Sequence, residues 1–179
     1  FDSLHRLVDL SPLWLIGMVV GGGFAAIYLS YAWLSLLATR RVLPSLGIGA
    51  LIEKRALAHG QIRKEIAASI SSIAIFAAFG VLTVFAERRE IIAIVWQPTP
   101  AVVLANLAIL TLWNELHFYA CHRSLHTPWL YRKVHAVHHR SIVPTPFSTF
   151  SFHWFEAILL SSVMILLLLV WPLDIVTII

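Results

Sequence analysis

The sequence predicts an all-α membrane protein: a polytopic bundle of about four transmembrane helices, the start of a fifth and short interfacial helices. Hydrophobic residues make up 59% of the 179 residues and charged residues 12%, and the mean hydropathy is +0.84. These values are typical of membrane proteins and exclude an ordinary soluble domain. The apolar residues form runs long enough to cross a hydrocarbon core of about 30 Å. The charged residues lie in short stretches between those runs.

The first two membrane helices are predicted at about residues 13–39 and 65–86, within one membrane domain that covers residues 1–179. Gly17 and Gly21 of the first helix have the GxxxG spacing that lets another helix backbone approach closely. The connection between the two helices is rich in Lys and Arg, and a surface helix is predicted there from about Gly49 to Ala58.

The third and fourth membrane helices are predicted at about residues 99–126 and 152–171, and residues 174–179 resemble the start of a fifth. Ten of the 13 Lys and Arg residues would then lie on one side of the membrane, the side of the histidines. The positive-inside rule places that side in the cytoplasm. Topology therefore explains the basic residues, and no nucleic-acid partner is indicated.

Histidines are concentrated near the end of the third predicted helix. His122 and His126 lie one helical turn apart, so they share a face. Pro128 is expected to end that helix, because proline disfavours helical backbone at the residue before it. A second, amphipathic helix along the membrane surface then carries His135, His138 and His139 at helical spacing, turned toward the first pair.

These five histidines predict a metal site. Neutral imidazole suits iron, zinc, copper and nickel, and a site with few carboxylates and no thiolate favours iron or zinc over magnesium or calcium. The alternative is that the histidines reach lipid headgroups from the interface. Ionisable side chains at membrane depth are costly and usually functional, which favours the metal site.

Five further residues are candidates for supporting the ligands or facing the substrate: Glu115, His117, Tyr119, His153 and Glu156. Glu115 and Tyr119 lie on the stripe of the first histidine pair, where Glu115 either accepts a hydrogen bond from a ligand or pairs with a neighbouring arginine. His117 lies about 140° round the helix and is not expected to be a ligand. His153 and Glu156 stand one turn apart and are expected to orient the ligand helix by hydrogen bonds.

The stretches HRSLH (residues 122–126) and LYRKVHAVHH (residues 130–139) resemble the first two histidine boxes of the fatty acid hydroxylase superfamily, in its sterol desaturase branch. Phe118 and Tyr119 also match, as do His153 and Glu156, although Trp154 stands where the family's His-Pro-x-Glu motif has proline. The resemblance is specific over residues 113–156 and general elsewhere.

The resemblance implies an integral membrane oxygenase, usually di-iron, that uses O2 to hydroxylate or desaturate a lipid C–H bond. It implies iron on the five histidines, with zinc a possible replacement, and no catalytic side chain separate from the ligands. Electrons would come from a ferredoxin or cytochrome-type partner, since the sequence has no haem, flavin or iron–sulfur motif, and the basic loops would dock it. The bilayer would be a bacterial inner membrane or the endoplasmic reticulum.

The chain departs from the family in one respect. Family members carry a further histidine box after two more membrane helices, whereas this sequence stops at Ile179. We therefore expect a fragment of a longer oxygenase domain, inactive by itself. Two other functions stay open: a zinc-dependent membrane hydrolase or isomerase, and a non-catalytic membrane protein of this fold. No HExxH motif is present, which counts against a protease.

Overall fold

The computed structural model describes residues 1–49 and 55–179. It is an α-helical bundle, as the sequence predicts. The helices are α1 (Asp2–Leu10), α2 (Leu13–Leu37), α3 (Leu43–Ser45), α4 (Gln61–Arg88), α5 (Pro100–Leu125), α6 (Pro128–Lys133), α7 (Trp154–Leu168) and α8 (Ile175–Ile178). A π-helical turn, Ala38–Val42, joins α2 to α3, and 3-10 helices cover His135–Arg140 and Pro146–Ser148. The strands β1 (Ile94–Val95) and β2 (Leu173–Asp174) form a short parallel pair.

Three helices in the described part of the chain are long and apolar enough to cross a membrane: Leu13–Ser45, Gln61–Arg88 and Pro100–Leu125. The predicted fourth membrane segment forms α7, which has 15 residues and is therefore about 23 Å long, less than the hydrocarbon core. Pro172 follows it closely and favours a turn. The predicted fifth segment begins with the four-residue helix α8.

Proline sets two of the helix boundaries that the sequence predicts. Pro100 lies in the first turn of α5, and the Thr99 hydroxyl accepts a hydrogen bond from the backbone N–H of Val102 at 3.4 Å. At the other end, α5 stops at Leu125 and α6 begins at Pro128. The predicted end of this helix before Pro128 is confirmed.

Half of the predicted surface helix from about Gly49 to Ala58, residues 50–54, lies outside the described residues. Residues 55–58, which the structure does describe, are not helical.

Close packing of α2 on α4 forms one side of the bundle. A Cβ atom built on Gly17 or Gly21 would lie 3.2–3.3 Å from a side chain of α4, and one built on Gly80 of α4 would lie 2.9 Å from Val20. The two backbones therefore approach where Gly17 and Gly21 permit it, as their spacing predicts. Helix α7 packs against both α4 and α5.

Different contacts hold the two ends of the bundle. At one end, the Arg88 side chain donates hydrogen bonds to the Val8 and Ser11 carbonyls, which holds α1 against the end of α4, and β1 pairs with β2. At the opposite end, Gln61 at the start of α4 donates to the Val143 carbonyl at 2.7 Å. The histidine-rich segment lies at this second end.

Candidate metal centre

The last turns of α5 bring the first predicted ligand pair together. The Nε2 atoms of His122 and His126 lie 3.1 Å apart. His135, reached after α6, joins them, and one ring nitrogen from each of the three histidines lies within 4.8 Å of the other two. These three residues form the centre of the histidine cluster.

The backbone reaches His135 by a different path from the predicted one. A single amphipathic helix was expected here, but α6 ends at Lys133, Val134 adopts φ −121° and ψ −68°, and a 3-10 helix follows. Val134 is 6% exposed and His135 is 1% exposed. Successive residues of a surface α-helix point about 100° apart. Both side chains are buried at the point where the backbone conformation changes.

His139 extends the cluster and His138 lies at its edge. The Nε2 atom of His139 is 3.1 Å from that of His135, and its ring centroid is 5.4 Å from that of His126. The His138 ring lies 5.9 Å from the His135 ring and packs on Phe152 at 5.1 Å. Its Nδ1 atom is buried and has no hydrogen-bond partner among the described residues.

The spacing of the nitrogens fits a shared metal ion. Two nitrogens that are each about 2.0–2.1 Å from one metal lie about 3.0–3.4 Å from each other. The His122–His126 and His135–His139 Nε2 pairs, both at 3.1 Å, meet this condition. A donor set of imidazoles suits iron or zinc.

Glu156 of α7 contacts the His135 ring at the nitrogen that does not face His139. One of its carboxylate oxygens, Oε1, lies 2.8 Å from Nδ1 of His135, and both residues are at most 2% exposed. With a proton on Nδ1 donated to this carboxylate, the lone pair of Nε2 faces the other histidines, which is the tautomer that a ligand requires. The Oε2 atom is buried without a hydrogen-bond partner in the described chain.

Burial also sets the protonation of two of the histidines. It lowers the pKa of His135 to about 4, and the neighbouring imidazoles contribute to that lowering. The neighbouring imidazoles disfavour an added positive charge on the His135 ring. Burial, and then the proximity of His139, lower the pKa of His138 as well. Both rings are therefore neutral at pH 7, as metal binding needs.

The other predicted residues lie away from the cluster. Glu115 is exposed and has no hydrogen bond or ion pair within the described chain. His117 bonds to the Ser162 hydroxyl of α7 at 3.1 Å, and exposed Tyr119 accepts from Arg123. His153 caps α7, with Nδ1 accepting from the Phe155 N–H at 3.2 Å. Of the predicted His153 and Glu156 pair, Glu156 contacts a candidate ligand, His135.

Sequence reasoning missed Glu65. It is 2% exposed, and its carboxylate accepts hydrogen bonds from Gln61, Ser141 and Thr145. The available signal was a carboxylate at the start of an apolar helix, where a charged group is costly unless it has partners. Two of those partners lie about eighty positions away in the sequence, so spacing did not reveal them.

Parts of this chain are similar to known proteins. Residues 107–179 match the family model described as fatty acid hydroxylase. The chain is 30% identical over 118 residues to a Delta(7)-sterol 5(6)-desaturase, erg3B, of Aspergillus fumigatus, which covers 61% of this chain and 35% of the fungal protein. It is 35% identical over 63 residues to methylsterol monooxygenase 1-1 of Arabidopsis thaliana, covering 35% of this chain and 21% of the plant protein.

A third relative, the Delta(7)-sterol 5(6)-desaturase erg32 of Schizosaccharomyces pombe, is 37% identical over 51 residues, which are 28% of this chain and 16% of the yeast protein. The chain thus matches about a third or less of the length of these three relatives. No solved structure matches it.

Proposed function

Because this chain belongs to the fatty acid hydroxylase superfamily, in its sterol desaturase branch, we propose that it is part of a membrane-bound non-haem di-iron oxygenase. The enzyme would hydroxylate or desaturate a lipid C–H bond with O2 and external electrons. The observation that carries this proposal is the convergence of His122, His126, His135 and His139 at one end of α5. The histidines come from two segments, so local sequence periodicity alone does not explain their meeting.

Each histidine has a place in the proposed site. His122, His126 and His135 would hold one iron, with His139 beside them. His138, whose Nδ1 is unpartnered in the described chain, would extend the ligand set toward a second iron. Iron, when bound, supplies the O2 chemistry that the side chains here lack. The chain's own part is to keep the rings neutral, to hold the proton on Nδ1 of His135 through Glu156 and to shield that side of the site from water.

The named relatives suggest the substrate class. They are sterol desaturases and a methylsterol monooxygenase, and we propose a sterol or another long apolar lipid for this chain. An apolar groove of about 520 Å³ between α2 and residues 146–150 includes Tyr28, Tyr31 and Phe150 in its lining. No histidine of the described chain lines it, so we do not place the reacting carbon there. Its apolar surface is consistent with a lipid near the histidine end of the bundle.

The orientation and the electron donor belong to the same proposal. The histidine end carries most of the basic residues, and we place it at the cytoplasmic face of the endoplasmic reticulum or of a bacterial inner membrane. A positive surface attracts an acidic partner and raises its association rate. A ferredoxin or cytochrome-type protein would therefore dock there and deliver electrons.

Metal analysis of the purified full-length protein tests the proposal. We expect about two irons per chain, lost in His135→Ala and retained in His117→Ala, a matched control because His117 bonds to Ser162 away from the cluster. Zinc in place of iron would favour the membrane hydrolase or isomerase, since three imidazoles also suit catalytic zinc. A folded wild type without stoichiometric metal would overturn the metalloenzyme and favour a non-catalytic membrane protein.

A further inference from the structure

We infer that Glu65 is a positioning residue for the metal centre, acting through the segment that follows His139. This inference rests on the proposed function, since it concerns the same histidines. Glu65 lies in the second turn of α4, and no contact joins its carboxylate to a histidine in the described chain. Its influence would pass through Ser141, two residues after His139.

Both oxygens of the Glu65 carboxylate accept hydrogen bonds. Its Oε1 atom accepts from Gln61 Nε2 at 2.8 Å and from Ser141 Oγ at 2.7 Å. Its Oε2 atom accepts from the Thr145 hydroxyl. Gln61 Nε2 also donates to the Val143 carbonyl at 2.7 Å. Residues 141, 143 and 145 are thus all tied to the start of α4, and we call these contacts the Glu65 network.

A second anchor fixes the same segment further along the chain. The Phe147 carbonyl accepts from the Tyr28 hydroxyl of α2 at 2.8 Å and from the Ser69 hydroxyl of α4 at 3.2 Å. The path from His139 to Phe147 is therefore held by two membrane helices. Because α4 is long and α2 packs tightly on it, the anchor points form a rigid frame.

The 3-10 helix His135–Arg140 needs support from outside its own backbone. Hydrogen-bond geometry in a 3-10 helix is poorer than in an α-helix, so His135–Arg140 is weakly held by its own backbone. Burying a carboxylate is costly unless its oxygens are bonded. A carboxylate that accepts three hydrogen bonds at the end of this helix is well suited to fix where His139 points.

The test compares Glu65→Ala and Glu65→Gln with Ser72→Ala in the full-length protein. Ser72 is a matched control: it is fully buried on the same helix, and its hydroxyl bonds to the Ala68 carbonyl of that helix. Two properties are measured. One is the affinity for Co²⁺, with the visible spectrum of the bound ion as a report on ligand geometry. The other is amide hydrogen exchange over residues 135–149 in metal-free protein.

For Glu65→Ala we expect about three- to tenfold weaker Co²⁺ binding, less than the 10- to 100-fold typical of a direct partner of a ligand. The Co²⁺ spectrum should change and exchange at residues 141–145 should become faster. Glu65→Gln retains one acceptor oxygen and should fall between Glu65→Ala and wild type. Ser72→Ala should match wild type in both measurements.

Several outcomes would overturn the inference. Wild-type affinity and spectrum in both Glu65 variants would do so, even with faster exchange, because Glu65 would then stabilise the segment without positioning a ligand. If Glu65→Ala does not fold, Ser141→Ala removes one hydrogen-bond donor alone and should also weaken Co²⁺ binding. Unchanged Co²⁺ binding in Ser141→Ala would overturn the inference. A wild type that binds no metal ion removes the proposed function itself, a result distinct from any difference between variants.

Discussion

Glu156 and Glu115 show how burial separates two carboxylates that look alike in the sequence. Both are candidates in the sequence for supporting the ligands, and for Glu115 the alternative is an ion pair with a neighbouring arginine. Glu156 is 2% exposed and lies 2.8 Å from Nδ1 of His135, whereas Glu115 is exposed and has no polar partner in the described chain. A carboxylate bonded to the far nitrogen of a ligating histidine fixes its tautomer and raises its basicity. Only a buried partner does so without competition from water.

Replacing Glu156 by glutamine should weaken metal binding by about 10- to 100-fold. An amide can donate as well as accept, so the glutamine side chain no longer selects the Nδ1–H tautomer of His135. Metal affinity of the purified variant, measured by competition with a chelator, checks this. Glu115→Gln is the matched control and should bind like wild type. Equal affinity in all three proteins would show that the Glu156 contact does not tune the ligand.

Among the elements, the interface between α2 and α4 is the frame of the bundle. Gly17 and Gly21 lie against α4 side chains, while Gly80 of α4 lies against Val20. Small residues are the usual means by which membrane helices approach, because lipid provides no hydrophobic drive for their association. The Glu65 network and both Phe147 contacts start from these two helices.

Gly80→Ala should destabilise the protein by about 1–3 kcal/mol, because the added methyl group would overpack the contact with Val20. A built Cβ there lies 2.9 Å from Val20 Cγ1. Thermal unfolding in detergent measures the effect. Gly22→Ala serves as control, since a Cβ at Gly22 meets no atom within 4 Å, and it should be neutral or slightly stabilising through higher helix propensity. Equal melting of both variants would rule out close packing at Gly80.

At the end of the bundle opposite the histidines, the buried carboxylate of Asp174 holds the start of α8. Asp174 accepts hydrogen bonds from Asn106 at 2.9 Å and from the backbone and hydroxyl of Thr177 at 3.0 and 2.7 Å. Burial raises its pKa, but these hydrogen bonds outweigh burial, and the net pKa of Asp174 is lower than usual. Asp174 thereby joins α5 to the chain after α7.

The lowered pKa of Asp174 predicts the direction of a pH effect. The folded chain releases this proton more readily than the unfolded chain, so the contribution to stability is full above the ordinary pKa of about 4 and is lost as pH falls through the lowered value. Asp174→Asn should be less stable than wild type by about 1–2 kcal/mol at pH 7, and the difference should shrink below about pH 4. Unfolding midpoints across pH test this; a constant difference would contradict it.

At the scale of the molecule, the candidate functional residues are concentrated at one end. The histidines, the Glu65 network and the start of α4 lie together there, while α1, the strand pair and Asp174 lie at the other. Helices α2, α4 and α5 separate the two ends and are the three that are long and apolar enough to cross a membrane within the described residues. The proposed topology then puts the metal centre at the cytoplasmic surface.

Labelling of single cysteines tests that orientation. In a Cys121→Ser background, Ser45→Cys places a thiol at the histidine end and Ser3→Cys places one in α1 at the opposite end; both positions are exposed. In intact bacterial cells that express the protein, an impermeant maleimide should label Ser3→Cys, and should label Ser45→Cys only after permeabilisation. The reverse pattern would invert the topology and place the metal centre outside the cytoplasm.

Local patterns were enough for the helices and for the ligand candidates. The predicted spans at about residues 13–39, 65–86 and 99–126 differ by a few residues from Leu13–Leu37, Gln61–Arg88 and Pro100–Leu125. Long apolar runs identify such helices because the bilayer requires every backbone group to be bonded within the segment. The one-turn spacing of His122 and His126 likewise predicted a pair whose nitrogens meet.

The sequence by itself thus determined the membrane class, the principal helices and the residue types of a candidate metal site. Tertiary structure decided that His135 and His139 join the first pair while His138 lies aside, that Glu156 rather than Glu115 or His153 bonds to a candidate ligand, and that Glu65 anchors the segment after the histidines. The physical reason is the sequence separation over which each kind of signal acts. Hydropathy and helical spacing act over a few residues, whereas the Glu156 and Glu65 contacts join positions 21 to 80 residues apart, and the break in helix at Val134 depends on what the folded bundle buries.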